Sequence, residues 1–209
     1  MPALADAFAA SCDKAQEFAS AVELARQRLG IPEGGKILAV AKLELAYELA
    51  YLRVFTAWED FLEESFLRYM CGFKARHGQE QLVAGGSYCS DLRSAKSTLY
   101  QGRQYILWHR PRSVISRAQD YFLSSKHETV LASMQGRIEH YAAIRHRIAH
   151  AHAEDNFDHA TMALVGRRFR ASRPGKFLRT SVPHSPTPMR WIDQITLDLR
   201  GLAFQIAPR

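Results

Sequence analysis

The longest uninterrupted helical pattern in the chain, residues 36–77, reads KILAVAKLELAYELAYLRVFTAWEDFLEESFLRYMCGFKARH. It contains no proline, and its first glycine is Gly72. Two apolar rows recur at steps of three and four residues, which is the spacing of a helix face. The first row is Leu38, Ala41, Leu45, Leu49 and Leu52, and the second is Phe55, Leu62, Phe66 and Tyr69. A helix with two apolar rows packs on more than one side, so this stretch predicts a central or interface helix.

The same spacing predicts further helices at 3–29, 126–152 and 189–206. Asp91 and Ser113 are placed to start two short helices at 91–100 and 113–123, and another helix is expected at 157–171. Ser125 and Glu128 fit a capping box at the start of the 126–152 helix, and Asn156 is placed to cap the one that follows. The segment 172–188 is rich in proline and predicts a long loop with an extended piece at 176–182. The expected fold is therefore all-α, an up-and-down bundle of about six or seven helices in a single domain, residues 1–209. We expect no sheet beyond a short hairpin, and packing of the 36–77 helix against the 126–152 helix.

Composition narrows the class of protein. A hydrophobic fraction of 47% supports a sizeable core, and no apolar run reaches the ~18 residues of a membrane span. The first residues have no basic region before an apolar one, so no signal peptide is expected. The three cysteines form no Cys-x-x-Cys pair, which favours a reducing cytoplasm over a disulfide or zinc framework.

The net charge of +7 is unevenly distributed. Residues 161–209 contain nine basic and two acidic side chains, and residues 91–126 contain seven basic and two acidic ones. A basic surface attracts polyanions such as nucleic acid, although a solubilising surface has the same composition. In the second segment, Trp108 stands among basic residues. Such an aromatic can stack on a base or anchor an ordinary loop as a buried side chain.

Histidine and arginine alternate in residues 144–152, IRHRIAHAH. Histidine exchanges protons near neutral pH, and arginine grips phosphate through paired hydrogen bonds. The predicted core line of this helix is Val130, Met134, Ile138, Tyr141, Arg145 and Ile148. Arg145 thus falls on the apolar face, where a charge is costly unless it is paired or lines a cleft. His146 and His150 have the spacing of a metal pair, but Arg147 would repel a cation, so we expect no metal and no cofactor.

An arginine followed four residues later by a histidine, near the end of a long helix in an all-helical chain, resembles the Arg-x(4–6)-His motif of the HEPN (higher eukaryotes and prokaryotes nucleotide-binding) superfamily. The matching pair here is Arg145 and His150. His146 stands where that family often has a small polar residue. The stretch 47–67, YELAYLRVFTAWEDFLEESFL, is also similar to the aromatic-rich helix of bacterial HEPN proteins.

The resemblance implies a metal-independent endoribonuclease that uses the 2′-hydroxyl of RNA as nucleophile and leaves a 2′,3′-cyclic phosphate. It implies a homodimer with the site at the interface, and a toxin or antiphage effector that an antitoxin protein holds in check. Arg145 and His150 are the predicted catalytic residues, with His146, His152 and Glu59 as auxiliary candidates. The predicted RNA-binding residues are Arg147, Arg167, Arg168 and Arg170.

Two alternatives stay open at the level of sequence. The chain is either such a nuclease or a non-catalytic helical module that binds nucleic acid, nucleotide or a protein partner. The catalytic histidine is His150 if the helix ends near Ala149. It is His152 if the helix continues, because His152 would then nearly eclipse Arg145 at about 100° per residue.

Overall fold

A computed structural model describes residues 2–29, 38–75, 81–150, 153–166 and 173–208. Within these ranges the chain forms nine helices and no strand, which confirms the all-α class. The helices are α1 (Pro2–Arg28), α2 (Val40–Met70), α3 (Leu92–Tyr100), α4 (Pro111–Tyr121), α5 (Lys126–Ser133), α6 (Gln135–Ala149), α7 (Glu154–Val165), α8 (Pro174–Arg179) and α9 (Trp191–Ile206). None of the helices in the described ranges is long and apolar enough to cross a membrane.

The central helix α2 is shorter than predicted. It ends at Met70 because Gly72 adopts a left-handed backbone, with φ of 76°. The Gly72 and Phe73 N–H groups donate to the carbonyls of Tyr69 and Arg68, both at 3.0 Å. This is a Schellman C-cap, which satisfies carbonyls that the helix leaves without a partner.

The predicted 126–152 helix is two helices, α5 and α6, separated at Met134. The backbone there has φ of −128° and ψ of 20°, which interrupts the helical repeat. Ser125 caps α5 as predicted, accepting from the His127 N–H at 3.1 Å. The capping-box prediction for Glu128 is wrong, because that carboxylate accepts a hydrogen bond from Gln119 at 2.8 Å.

Two other helix starts differ from prediction by two or three residues. Helix α4 begins at Pro111, whose fixed φ suits the first helical position, so Ser113 is not its cap. Helix α7 begins at Glu154 after Ala153, so Asn156 lies inside the helix. By contrast, Asp91 caps α3 as expected and accepts from the Ser94 N–H at 2.7 Å.

The proline-rich segment contains the short helix α8 where an extended piece was predicted. Gly175 on α8 packs directly on α2, since a Cβ atom at this position would lie 2.3 Å from the carbonyl oxygen of Glu44. The Gly175 N–H donates to the Glu48 carboxylate at 2.9 Å. Beyond α8, Ser181 and Arg190 form an antiparallel bridge. Within the described ranges, the expectation of no sheet beyond a short hairpin is therefore confirmed.

The chain divides into two compact units. Unit 1 comprises Met1–Ala9, Ala57–Glu139 and Leu199–Arg209, and unit 2 comprises Ala10–Thr56 and His140–Asp198. In unit 1, the buried Phe66 of α2 lies against Phe122 and His127, with ring centroids 4.9 and 5.2 Å apart. In unit 2, Phe177 stacks on Trp191 at 5.2 Å.

Candidate functional site at the end of helix α6

The C-terminal half of α6 lies in unit 2 and has a buried face formed by Tyr141 and Ile144, both fully buried. Arg145 is half-buried at the edge of that face, as is Ile148. The sequence predicted Arg145 on the apolar face itself, whereas in the structure it lies at the edge of that face and the fully buried Ile144 occupies the centre.

A chain of hydrogen bonds fixes α6 beside Arg145. The Tyr51 hydroxyl of α2 donates to the carbonyl oxygen of Tyr141 at 2.8 Å, which confirms that these two helices pack together. The Tyr141 hydroxyl donates to the carboxylate of Asp198 on α9. The other oxygen of Asp198 accepts from the Gln194 amide at 2.8 Å. The middle of α6, one turn before Arg145, is thus held to α2 and α9 by buried or half-buried polar contacts.

The positive charge of Arg145 acts on this chain. Burial raises the pKa of Tyr51 well above the usual value of a phenol, and Tyr141 raises it further. Arg145 works in the opposite direction and lowers the pKa, because a cation favours the phenolate form. Tyr51 therefore stays a neutral hydrogen-bond donor that positions α6, while Arg145 supplies the positive charge beside it.

The helix ends at Ala149, so His150 is the first residue beyond it. The His150 N–H still donates to the carbonyl of His146 at 2.8 Å, and the His150 carbonyl accepts from the Ala153 N–H at 3.3 Å. Both imidazoles are exposed, and their ring centroids are 4.7 Å apart. The structure therefore pairs the predicted catalytic histidine with the auxiliary candidate His146.

The residue at which α6 ends is relevant to whether His150 or His152 is the catalytic histidine. His152 would eclipse Arg145 only on a helix that continued through it, and α6 stops at Ala149. His152 itself lies outside the described residues, as do Arg167, Arg168 and Arg170. Arg147 is half-buried on α6. Of the other clustered histidines, His140 lies 5.8 Å from the ring of His159.

The auxiliary candidate Glu59 belongs to unit 1. Its carboxylate lies 4.0 Å from Nδ1 of His109, and both side chains are largely buried. Within unit 1, Glu59 thus faces a histidine that the sequence reading did not include in the site.

A second polar cluster of unit 2 was missed by the sequence reading. Glu23 accepts from Arg179 at 3.3 Å and also from Arg190 and the Tyr47 hydroxyl. The two guanidinium carbons lie 5.7 and 5.5 Å from the centroid of the buried Tyr47 ring. Arg190 also lines a pocket of about 480 Å³. The residues come from three distant segments, so no local pattern indicates the cluster.

Unit 1 carries exposed basic residues, as the charge of 91–126 predicts. Arg93, Lys96, Arg103 and Arg110 are exposed and Arg117 is half-buried, and we refer to these five residues as the basic surface of unit 1. Burial lowers the pKa of Arg117, and the like charge of Arg103 lowers it further. Trp108 is only 3% exposed, with Arg117 above its ring at 5.7 Å. Its ring is therefore a buried anchor and not a stacking platform.

Among the described residues, no group of three or more His, Cys, Asp and Glu side chains is arranged to hold a metal ion. Comparison of the chain with protein-family models, with curated proteins and with solved structures finds no match.

Proposed function

We propose that the chain is a HEPN-like, metal-independent endoribonuclease whose site is the C-terminal end of α6. The observation that carries this proposal is that an arginine, the end of a helix and an exposed histidine occur within six residues. Arg145 is half-buried at the edge of the core, α6 stops at Ala149, and the exposed His150 leaves the helix directly afterwards. This combination puts a fixed cation and a solvent-accessible proton acceptor at one helix end.

Arg145 has the role of binding the scissile phosphate. A guanidinium donates paired hydrogen bonds to two phosphate oxygens, and it stabilises negative charge that grows as the 2′-oxygen attacks. Its half-buried position favours this role, because a partly desolvated cation interacts more strongly with a phosphate than a fully solvated one. The anchoring of α6 through Tyr51, Tyr141 and Asp198 keeps the arginine from moving during the reaction.

His150 has the role of general base. It accepts the proton of the 2′-hydroxyl, the 2′-oxygen bonds to phosphorus, and the bond from phosphorus to the 5′-oxygen breaks. The departing 5′-oxygen then needs a proton from a second acid. In a homodimer with two α6 ends facing each other, His150 of the second copy supplies it. His146, in ring contact with His150, positions the base.

The proposed RNA contacts of unit 2 are the half-buried Arg147 together with Arg167, Arg168 and Arg170. The basic surface of unit 1 is proposed by itself as a further surface that attracts RNA. Contacts to phosphates are independent of base sequence and weaken steeply with salt. Removal of Arg103 and Arg110 should therefore weaken binding of all RNAs and flatten the dependence of affinity on salt concentration.

The chemistry is tested by incubating the protein with RNA in EDTA and determining the end groups of the products. The proposal predicts cleavage without divalent ions, with 2′,3′-cyclic phosphate and 5′-hydroxyl ends. Activity per chain should fall on dilution if a dimer is the active species. His150→Ala should abolish cleavage, and the matched control His184→Asn should not. His184 is an exposed histidine with φ of 58°, and asparagine tolerates that conformation.

RNA that stays intact with and without divalent ions, in the presence of folded dimeric protein, would contradict this function. Products with 3′-hydroxyl ends would contradict the mechanism, because 2′-oxygen attack cannot produce them. The toxin or antiphage role predicts that expression arrests growth. Arg145→Ala should relieve that arrest, and so should coexpression of a cognate antitoxin.

A second candidate function is a non-catalytic binding module, and one observation favours it. Ala41, Leu45 and Leu49 lie along one side of α2 and are exposed, the two leucines by 51% each. The first apolar row of α2 was predicted to pack, and that prediction is wrong for these three residues. An exposed apolar row on a helix is suited to a protein partner. Binding of RNA or of a partner protein by a chain with no cleavage activity would select this alternative.

A further inference from the structure

Two of the three cysteines, Cys71 and Cys89, are close in space although they are 18 positions apart in sequence. The Cys89 N–H donates to the carbonyl oxygen of Met70 at 2.9 Å. That carbonyl belongs to the peptide that joins Met70 to Cys71. The covalent bonds on either side of this hydrogen bond limit the distance between the two Cα atoms to about 7 Å. Disulfides join cysteines whose Cα atoms are ~4.4–6.8 Å apart, so this pair is within reach of a bond.

Neighbouring contacts hold the two segments that contain Cys71 and Cys89 together. The Tyr88 ring lies against Gly72, where a Cβ atom would be 3.1 Å away. Gly72 is held in its left-handed conformation by the C-cap of α2. Asp91 anchors the other end by capping α3. Both cysteine side chains are partly exposed and reduced, whereas Cys12 is fully buried.

We propose that Cys71 and Cys89 are a redox-active thiol pair that hydrogen peroxide converts into a disulfide, closing residues 71–89 into a covalent loop. The closed loop links the C-terminal end of α2 to the start of α3. The inference concerns a modification site in unit 1 and does not depend on the nuclease activity.

The reaction balances with peroxide as the oxidant. One thiolate attacks a peroxide oxygen, the O–O bond breaks, and a sulfenic acid forms while water departs with a proton from the medium. The second sulfur then attacks the sulfenic sulfur, the S–S bond forms, and the S–O bond breaks. The hydroxide that leaves takes up a proton, so the thiol protons end in two waters, and two electrons pass from the sulfurs to the peroxide.

The environment of Cys71 sets the pH dependence. Burial raises the pKa of its thiol, and the neighbouring Cys89 and Asp91 raise it further. Since the thiolate is the reactive form, the pair stays reduced under mild conditions near neutral pH. The rate of oxidation should rise as the pH increases from about 7 to 9.

The test is a tryptic digest without reductant after exposure of the full chain to peroxide. Cleavage at lysine and arginine separates residues 69–74, which contain Cys71, from residues 77–93, which contain Cys89. The proposal predicts that these two peptides are cross-linked, that the protein loses two hydrogens in mass, and that dithiothreitol reverses both changes. Cys12→Ser should form the same cross-link, while Cys71→Ser and Cys89→Ser should not.

Three results would overturn the proposal. One is a wild-type chain in which Cys71 or Cys89 accumulates sulfinic acid without a cross-linked peptide. Another is a cross-link that includes Cys12. The third is a disulfide between two chains in place of one within a chain, which a gel without reductant would show as a dimer band.

Discussion

Each unit of the molecule contains a histidine in contact with another polar side chain, and the two contacts differ in their exposure to solvent. In unit 1, His127 is fully buried, with its Nε2 atom 2.9 Å from the Ser65 hydroxyl oxygen. In unit 2, His146 and His150 are both exposed at a helix end. The difference shows that a polar contact can hold a histidine inside the core, closed to solvent, or at the surface, where solvent reaches it.

The hydrogen bonds of His127 explain why it is unsuited to acid–base chemistry. The Ser65 hydroxyl donates to the Leu62 carbonyl at 3.1 Å, so its oxygen accepts from Nε2 of His127. Within the part of the chain that the structure describes, Nδ1 is buried with no hydrogen-bond partner. A proton there would have no acceptor, and burial lowers the pKa of His127 to about 3.

The largest expected effect is therefore on the pH dependence of stability. His127 has a lower pKa in the folded state than its usual 6.5, so the unfolded state binds more protons between these values. Its contribution to stability is fully present above pH ~6.5 and is lost as the pH falls toward 3. Roughly 4 kcal/mol of unfolding free energy should disappear across this window.

Denaturant unfolding at a series of pH values would measure this loss. The matched control is His127→Gln, which cannot be protonated and should flatten the dependence between pH ~6.5 and 3. An equal slope in the wild type and this variant would show that His127 is not the buried neutral group described here.

A smaller effect is expected from truncation of the same side chain. His127→Ala removes ring packing against Phe66 and removes the Nε2 donor from the buried Ser65 hydroxyl oxygen. We expect a loss of about 3 kcal/mol in unfolding free energy at neutral pH. Thermal unfolding would measure the shift, and a change below about 1 kcal/mol would show that this core does not depend on the imidazole.

The packing of unit 2 is probed at Gly175. A Cβ atom would collide with backbone atoms of Glu44 at 2.3 and 2.6 Å, so Gly175→Ala should cost about 2 kcal/mol. The control is Gly201→Ala on α9, where a Cβ atom meets nothing within 4 Å. That change should stabilise the protein by about 0.5 kcal/mol or more through helix propensity. Equal effects in the two variants would contradict the close contact of α8 with α2.

The smallest expected effect is on the exposed pair. His150→Ala should change the unfolding free energy by less than about 0.5 kcal/mol, because its side chain lies on the surface beyond the end of α6. A loss as large as that of His127→Ala would show that His150 is a structural residue and would remove the contrast between the two units.

Apolar periodicity and capping residues correctly predicted several of the helices. Helices α1 and α9 follow uninterrupted apolar rows, and Asp91 is a strong cap ahead of α3. The break at Met134 was not predicted because no proline marks it, and Gly136 beyond it is only a weak signal. Helix α8 was not predicted because the prolines of residues 172–188 are typical of a loop, although Pro174 suits a first helical turn.

The residues of the candidate site and the other polar contacts also differ in whether a local sequence pattern could indicate them. Arg145 and His150 could be singled out because they lie in one short motif. The contact of Cys71 with Cys89, and of Glu23 with Arg179 and Arg190, joins segments distant in sequence. Such contacts follow from tertiary packing, which a local pattern does not encode. The sequence also did not predict that α6 ends at Ala149, because neither glycine nor proline follows within the next residues.

The most direct test of the central claim is the single-turnover rate of RNA cleavage in EDTA by Arg145→Ala, compared with Arg53→Ala. Arg53 is an exposed arginine of α2 in the same unit, so the two variants lose the same charge. The account predicts that Arg145→Ala lowers the rate by about 10²-fold or more with an unchanged unfolding midpoint, while Arg53→Ala stays within a few-fold of the wild type. Wild-type activity in Arg145→Ala would place the site elsewhere and contradict the account.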